Sequence, residues 1–126
     1  MHENDIGTEI INAAIKIHRE LGPGLFESVY EVILSHELKQ RGLNIERQVT
    51  IPIAYEDIQF DEGFRADIIV ENKVIIELKS KEMYSKSDYK QLQTYLKLGN
   101  LKLGYLLNFG LALLKDGIVR VVNNLE

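Results

Sequence analysis

Phe64–Ser80, FRADIIVENKVIIELKS, is the stretch whose reading decides the fold. Two short apolar, β-branched runs, Ile68–Val70 and Val74–Ile76, flank the polar residues Glu71, Asn72 and Lys73, and together they predict an antiparallel hairpin. Each run carries acids at its edge: Asp67 precedes the first, and Glu77, Leu78 and Lys79 continue the second. Charges beside a sheet core cost roughly several kcal/mol to desolvate unless a counter-charge or a metal compensates. The acids therefore require a partner.

Side chains alternate along a strand, so Glu77 and Lys79 share one face while Ile76 and Leu78 share the other. A strict two-residue turn at Asn72 and Lys73 would leave Asp67 and Glu77 on opposite faces. A three-residue loop, Glu71 to Lys73, or a bulge in one strand brings them to the same face, and one of these is expected. Two carboxylates beside an ammonium would then converge, and like charges at close range need a cation to hold both ionised. Carboxylates and water suit Mg²⁺ or Mn²⁺. From the Glu-x-Lys spacing alone, the plainer alternative is a surface ion pair between Glu77 and Lys79.

Outward from this hairpin the periods change. DIGTEIINAAIKIHREL predicts a helix with its N-cap at Asp5 and apolar residues at Ile6, Ile10, Ala14, Ile17 and Leu21, stopped by Gly22, Pro23 and Gly24. A second helix is expected from about Phe26 to Arg41, with Tyr30, Ile33, Leu34 and Leu38 inward and Gly42 closing it. Between Ile45 and Tyr55 every odd position except Arg47 is apolar, which predicts a half-buried strand, and Pro52 marks an edge or a bulge. Asp57 to Gly63 reads as a polar connection. Ser85 or Ser87 is expected to cap a third helix running to Leu98. LGYLLNF is apolar on both faces, as a central strand is, and LALLKDGIVRVVN predicts a hairpin about Asp116 and Gly117. The segment between Lys79 and Leu103 is long enough for a crossover, so those strands should be parallel, adjacent or one strand apart.

At 126 residues the chain is expected to be one domain, residues 1–126, with a core that needs no disulfide. A hydrophobic fraction of 45% and a charged fraction of 27% are ordinary for a soluble protein. The acidic start, MHENDIGTE, is unlike a secretory leader, so the cytoplasm is the expected compartment and His2 is expected to be disordered. With no cysteine, disulfide frameworks, thiolate zinc sites and cysteine nucleophiles are excluded. A net charge of −4 argues against wholesale attraction to polyanions, yet Lys73, Lys79, Lys81, Lys86, Lys90, Lys97 and Lys102 make one segment locally positive, either a phosphate-facing side or a solvated helix face. His18 and His36 lack ligand spacing, and Arg65 could hold a carboxylate or touch phosphate.

GLFESVY, Gly24–Tyr30, resembles the signature of the GxxExxY protein family, a branch of the PD-(D/E)XK nuclease superfamily. HRELGPG before it, RADIIVENKVIIELK, and QLQTYLK followed by GYLLNFG are similar to that family in the same order, so the resemblance covers nearly the whole chain. Ala66 stands where a proline often precedes the acid, a position that carries no chemistry. The resemblance implies an α/β fold with the restriction-endonuclease-like αβββαβ core, a mixed sheet flanked by helices, here with an extra N-terminal helix and a C-terminal β-hairpin. It also implies that Asp67 and Glu77 bind the metal, Mg²⁺ or Mn²⁺, and that Lys79 is the catalytic base or electrostatic stabiliser. Glu27 would be an additional acid facing the metal, directly or through water, and Gln91 the polar residue on the helix after the Glu-x-Lys strand. Tyr30 and Tyr95 are expected to be core aromatics with wet hydroxyls, and Gly22–Gly24 a turn that places Glu27.

The activity so implied is metal-dependent hydrolysis of nucleic-acid phosphodiesters, DNA or RNA, leaving a 5′-phosphate and a 3′-hydroxyl. The competing expectation is a nucleic-acid- or protein-binding module that keeps the fold without turnover. A third is a purely structural domain with ion-paired sheet acids. The small acidic domain would gain contact surface from a homodimer or a partner protein.

Overall fold

The computed structural model describes residues 1–83 and 86–126, and the side chains of all of these except residues 54, 60, 61 and 62. Helices α1 (Glu3–Leu21) and α2 (Glu27–Gln40) are followed by strands β1 (Ile45–Tyr55), β2 (Ile58–Val70) and β3 (Val74–Lys79). Helix α3 (Lys86–Gly99), β4 (Leu103–Asn108), a 3₁₀ turn (Leu114–Gly117) and β5 (Ile118–Val122) complete the chain. The strands form one mixed sheet in the order β1-β2-β3-β4-β5, antiparallel except for the parallel pair β3 and β4. α3 is thus the crossover between adjacent parallel strands, the connection that parallel pairing demands.

Both sheet faces are buried, which explains the nearly continuous apolar runs of β3 and β4. On one face α1 and α2 contribute Ile6, Ile10, Ile17, Tyr30, Leu34 and Leu38 against Ile68, Val70, Val74, Ile76, Leu78 and Tyr105. On the other, Leu92 and Leu96 of α3 pack on Phe64, Ala66, Ile69, Ile75 and Leu106. Alternation puts Glu77 and Lys79 on this α3 face.

Several expectations need correction at element ends. α1 begins at Glu3, not after Asp5: His2 is its N-cap, its Nδ1 accepting the Asn4 N–H at 3.0 Å. His2 is also ordered by a contact between Nε2 and the Glu126 carbonyl at 3.1 Å. Residues 58 to 63 are strand rather than connection, the turn being only Glu56 and Asp57, with Glu56 at φ 52°. Ile58, Gln59 and Phe60 pair with Tyr55, Ala54 and Ile53 of β1, which gives their backbone partners whatever the side-chain polarity. β1 is an edge strand, and its register with β2 shifts between Ile51 and Ile53, around Pro52, which has no N–H to donate. Of the two expected caps of α3, Ser87 lies inside the helix and Ser85 falls outside the described residues. The C-terminal hairpin pairs β5 with β4 itself, Leu107 with Ile118 through Leu103 with Val122, so residues 111–114 are no strand. The fully buried β4 needs a ladder partner on its outer edge, and Leu114 serves the core instead.

Candidate metal centre at the end of a strand pair

The hairpin loop has three residues. Val70 pairs with Val74, Ile69 with Ile75 and Ile68 with Ile76. Glu71 and Asn72 adopt φ of 54° and 55°, and the Lys73 N–H donates to the Val70 carbonyl at 3.0 Å. Carried one step further this register sets Asp67 opposite Glu77, as the parity argument requires of a shared site. The ladder ends at Ile68 and Ile76, however, and the two acids sit where the strands part.

Backbone donors left without ladder partners there must find acceptors. The Leu78 N–H donates to Asp67 Oδ2 at 2.8 Å, and the Asp67 N–H donates to Glu77 Oε1 at 3.3 Å. Each acid thus takes an N–H from the opposite strand, which fixes both side chains and commits one oxygen of each carboxylate.

Glu77 is only 7% exposed. Burial first, and the neighbouring Asp67 charge second, push its carboxyl up to about 8. Burial likewise raises Asp67, with the Leu78 N–H opposing it and the Glu31 charge adding to it. The nearby Lys79 favours the charged form of both acids. A buried carboxylate and a half-buried one that repel each other and offer only hard oxygen donors are a donor set that suits a small divalent cation, whose charge removes both penalties. Among the described residues no group of three His, Asp or Glu side chains is gathered closely enough to hold a metal.

The remaining candidate residues surround this pair. Glu27 is the first residue of α2 and exposed, and its charge adds to the upward push on Glu77. Lys79 Nζ lies 3.8 Å from Asp88 Oδ1 on α3, where Lys81 also pairs. The ion pair expected between Glu77 and Lys79 is therefore replaced by one to Asp88, because α3 brings a buried acid onto that face. Gln91 sits one turn before Tyr95, and its side chain opposes the burial that raises the Tyr95 hydroxyl. Both line a groove of about 440 Å³ with Ser87, Asp88, Lys90 and Thr94. The groove reaches the end of β3 through Asp88, which pairs with Lys79; burial first, and then the Glu77 and Asp67 charges, raise the Tyr95 hydroxyl. Tyr95 is held by a parallel stack on Phe64, centroids 3.6 Å apart. Arg65 is exposed and makes no ion pair among the described residues.

The Gly24–Tyr30 segment is anchored to the same corner. Fully buried Tyr30 stacks on Phe109 at 4.3 Å, donates its hydroxyl hydrogen to the Gly22 carbonyl and accepts the Leu25 N–H at 3.3 Å. Ser80 Oγ, one residue past Lys79, donates to the Leu25 carbonyl at 2.8 Å. The turn before α2 is thereby tied to the end of β3, and Tyr30 is structural. Opposite Lys79 on β4, Asn108 Oδ1 accepts the Lys81 and Gly110 N–H groups at 3.1 and 3.0 Å, holding the two strand ends together.

Sequence reasoning missed Glu31, Gln48 and Asp88. Glu31, one helical turn after Glu27, is the buried acid of α2, its Oε2 within 2.9 Å of Arg47 Nε and Nη2. The single polar odd position of β1, Arg47, was the available signal. Gln48 donates from Nε2 to Glu31 Oε1 at 2.6 Å and to Asp67 Oδ1 at 3.4 Å.

A family model described as the PD-(D/E)XK nuclease superfamily matches residues 4–121. No curated protein and no solved structure matches the chain.

Proposed function

Because the chain belongs to the PD-(D/E)XK nuclease superfamily, we propose that it is a divalent-metal-dependent nuclease acting on DNA or RNA, within the GxxExxY branch. The observation that carries this reading is the meeting of Asp67 and Glu77 where β2 and β3 part, each fixed by a backbone N–H of the other's strand.

In this proposal Asp67 and Glu77 hold Mg²⁺ or Mn²⁺, and Glu27, which does not close with them into a three-acid group, acts through water. Such an ion supplies Lewis-acid activation of water and neutralisation of charge on the scissile phosphate. Lys79 adds a positive charge beside the acids. Its ion pair with Asp88 suits the ammonium form, which favours an electrostatic role over that of a base. Gln91, on the groove wall, orients the substrate or the attacking water.

The groove along α3 supports a nucleic-acid substrate. Lys86, Lys90 and Lys97 recur at helical spacing on an exposed strip of that helix and make no ion pair among the described residues. The proposed nuclease is a single cytoplasmic domain acting alone, as a homodimer or with a partner protein; among the described residues no helix is long and apolar enough to cross a membrane.

Incubating the purified protein with single- and double-stranded DNA and RNA tests the reading. Mn²⁺ or Mg²⁺ should support cleavage, EDTA should stop it, and Lys79→Ala and Asp67→Ala should each lower the rate by about 100-fold or more. Cleavage that survives in both variants would remove the proposal. Mn²⁺ binding without cleavage of any substrate would leave a binding module in its place.

A further inference from the structure

We infer that Gln48 is a positioning residue for the metal-binding carboxylate of Asp67, and that its strained backbone is maintained for that purpose. The inference rests on the reading of Asp67 as a metal ligand.

In the middle of β1, Gln48 has φ 52°, the left-handed region that L-residues with long side chains rarely adopt. Arg47 pairs with Ile68 and Val49 with Ala66, but between them Gln48 and Asp67 make no ladder pair. The register is the same on both sides of this interruption, yet the faces exchange. Before it Arg47 reaches Glu31 of α2 and Ile68 joins the α1 and α2 core. Beyond it Val49, Ile51, Phe64 and Ala66 pack in the α3 core. The distortion thus sits where Asp67 turns toward β3, and the chain spends an unfavourable residue conformation at that one place.

The Gln48 side chain explains what the conformation accomplishes. Its Nε2 lies between two carboxylates, Glu31 Oε1 at 2.6 Å and Asp67 Oδ1 at 3.4 Å. With Leu78 N–H on Oδ2, both oxygens of Asp67 have a donor, so the carboxylate is held at two points. An amide donates two hydrogens and carries no charge. A lysine or arginine at this position would neutralise the acids and compete with a cation, whereas glutamine orients Asp67 while leaving the negative charge that a divalent ion needs. Glu31 is in turn braced by Arg47, so the chain Arg47–Glu31–Gln48–Asp67 links helix α2 to the candidate centre. Donors in this outer position set the orientation of metal ligands, and their loss typically weakens metal affinity 10- to 100-fold.

Gln48→Asn separates positioning from folding. Asparagine tolerates the left-handed region better than glutamine and keeps the amide, but is one methylene too short to span both acids. Mn²⁺ titration by calorimetry, together with thermal melts in EDTA, is the experiment, with Gln48→Met as a second variant of similar length that lacks donors. The expected result is an apo melting temperature for Gln48→Asn within a few degrees of wild type, or above it, with Mn²⁺ affinity about 10-fold weaker in both variants. Wild-type affinity in both variants overturns the inference while leaving the nuclease reading intact. A loss of binding that merely follows a collapse in melting temperature makes Gln48 structural and also overturns it. Failure of the wild-type protein itself to bind Mn²⁺ overturns the nuclease reading and this inference with it.

Discussion

Glu77 should make the metal-free protein progressively less stable as pH rises, and replacing it with glutamine should remove most of that dependence. Its carboxyl titrates near 8 in the folded protein against an ordinary 4.5. Between these values the folded state holds a proton that the unfolded state has released, so stability is fully present below about pH 4.5 and is lost as pH rises through about 8. At about 1.4 kcal/mol per pH unit, the displacement amounts to on the order of 5 kcal/mol. Asp67, also raised, acts in the same direction. For a chain of 126 residues, each kcal/mol moves the melting temperature by roughly 4 °C. Thermal melts followed by circular dichroism in EDTA should therefore drop by on the order of 10 °C or more between pH 5 and pH 8. Glu77→Gln keeps the oxygen that accepts the Asp67 N–H but cannot ionise, so its profile should be much flatter and its apo melt at pH 8 higher than wild type. Saturating Mn²⁺ at pH 8 should narrow that gap, stabilising wild type by about 2.7 kcal/mol at 100 times its dissociation constant and leaving Glu77→Gln nearly unmoved. Parallel pH profiles for the two proteins in EDTA, or equal Mn²⁺ shifts, would refute the account of Glu77 as a buried acid repelled by Asp67.

Tyr30→Phe should cost roughly 1–3 kcal/mol, because it removes the donor to the Gly22 carbonyl and the acceptor for the Leu25 N–H while keeping the Phe109 stack; unchanged urea midpoints would contradict that anchoring role. Lys86→Glu combined with Lys90→Glu should weaken nucleic-acid binding and lower the slope of log affinity against log salt by roughly 1.4–1.8, while Mn²⁺ affinity measured by calorimetry stays at the wild-type value. An unaltered salt slope would mean that the α3 lysines face only solvent.

Parity set the condition for Asp67 and Glu77 to share a face, a three-residue loop or a bulge, and the structure supplies the loop. Strand alternation has a period of two, so once Glu71–Lys73 is taken as a three-residue loop, the face of every residue near the hairpin follows by counting. Lys79 was a candidate from the Glu-x-Lys spacing, and Glu27 and Gln91 through the resemblance; they lie around that corner, although only Asp67 and Glu77 exchange hydrogen bonds with each other's strand. Counting failed on β1, where an alternation of apolar residues interrupted only at Arg47 conceals a change of face at Gln48. It worked on paper because both faces of the sheet are covered, so either side accepts a valine or an isoleucine.

From the chain alone, then, came the order of elements, the crossover between β3 and β4, and the condition under which two acids meet, all consequences of local periodicity and loop length. Tertiary packing decided which groups neutralise and hold them. α3 delivers Asp88 to Lys79, α2 buries Glu31 beside Arg47, and Gln48 adopts a backbone conformation that no propensity favours. The physical reason is that hydrogen bonds and ion pairs between distant segments depend on which helix covers which face of the sheet, and a repeat of apolar residues is silent on that when both faces are buried.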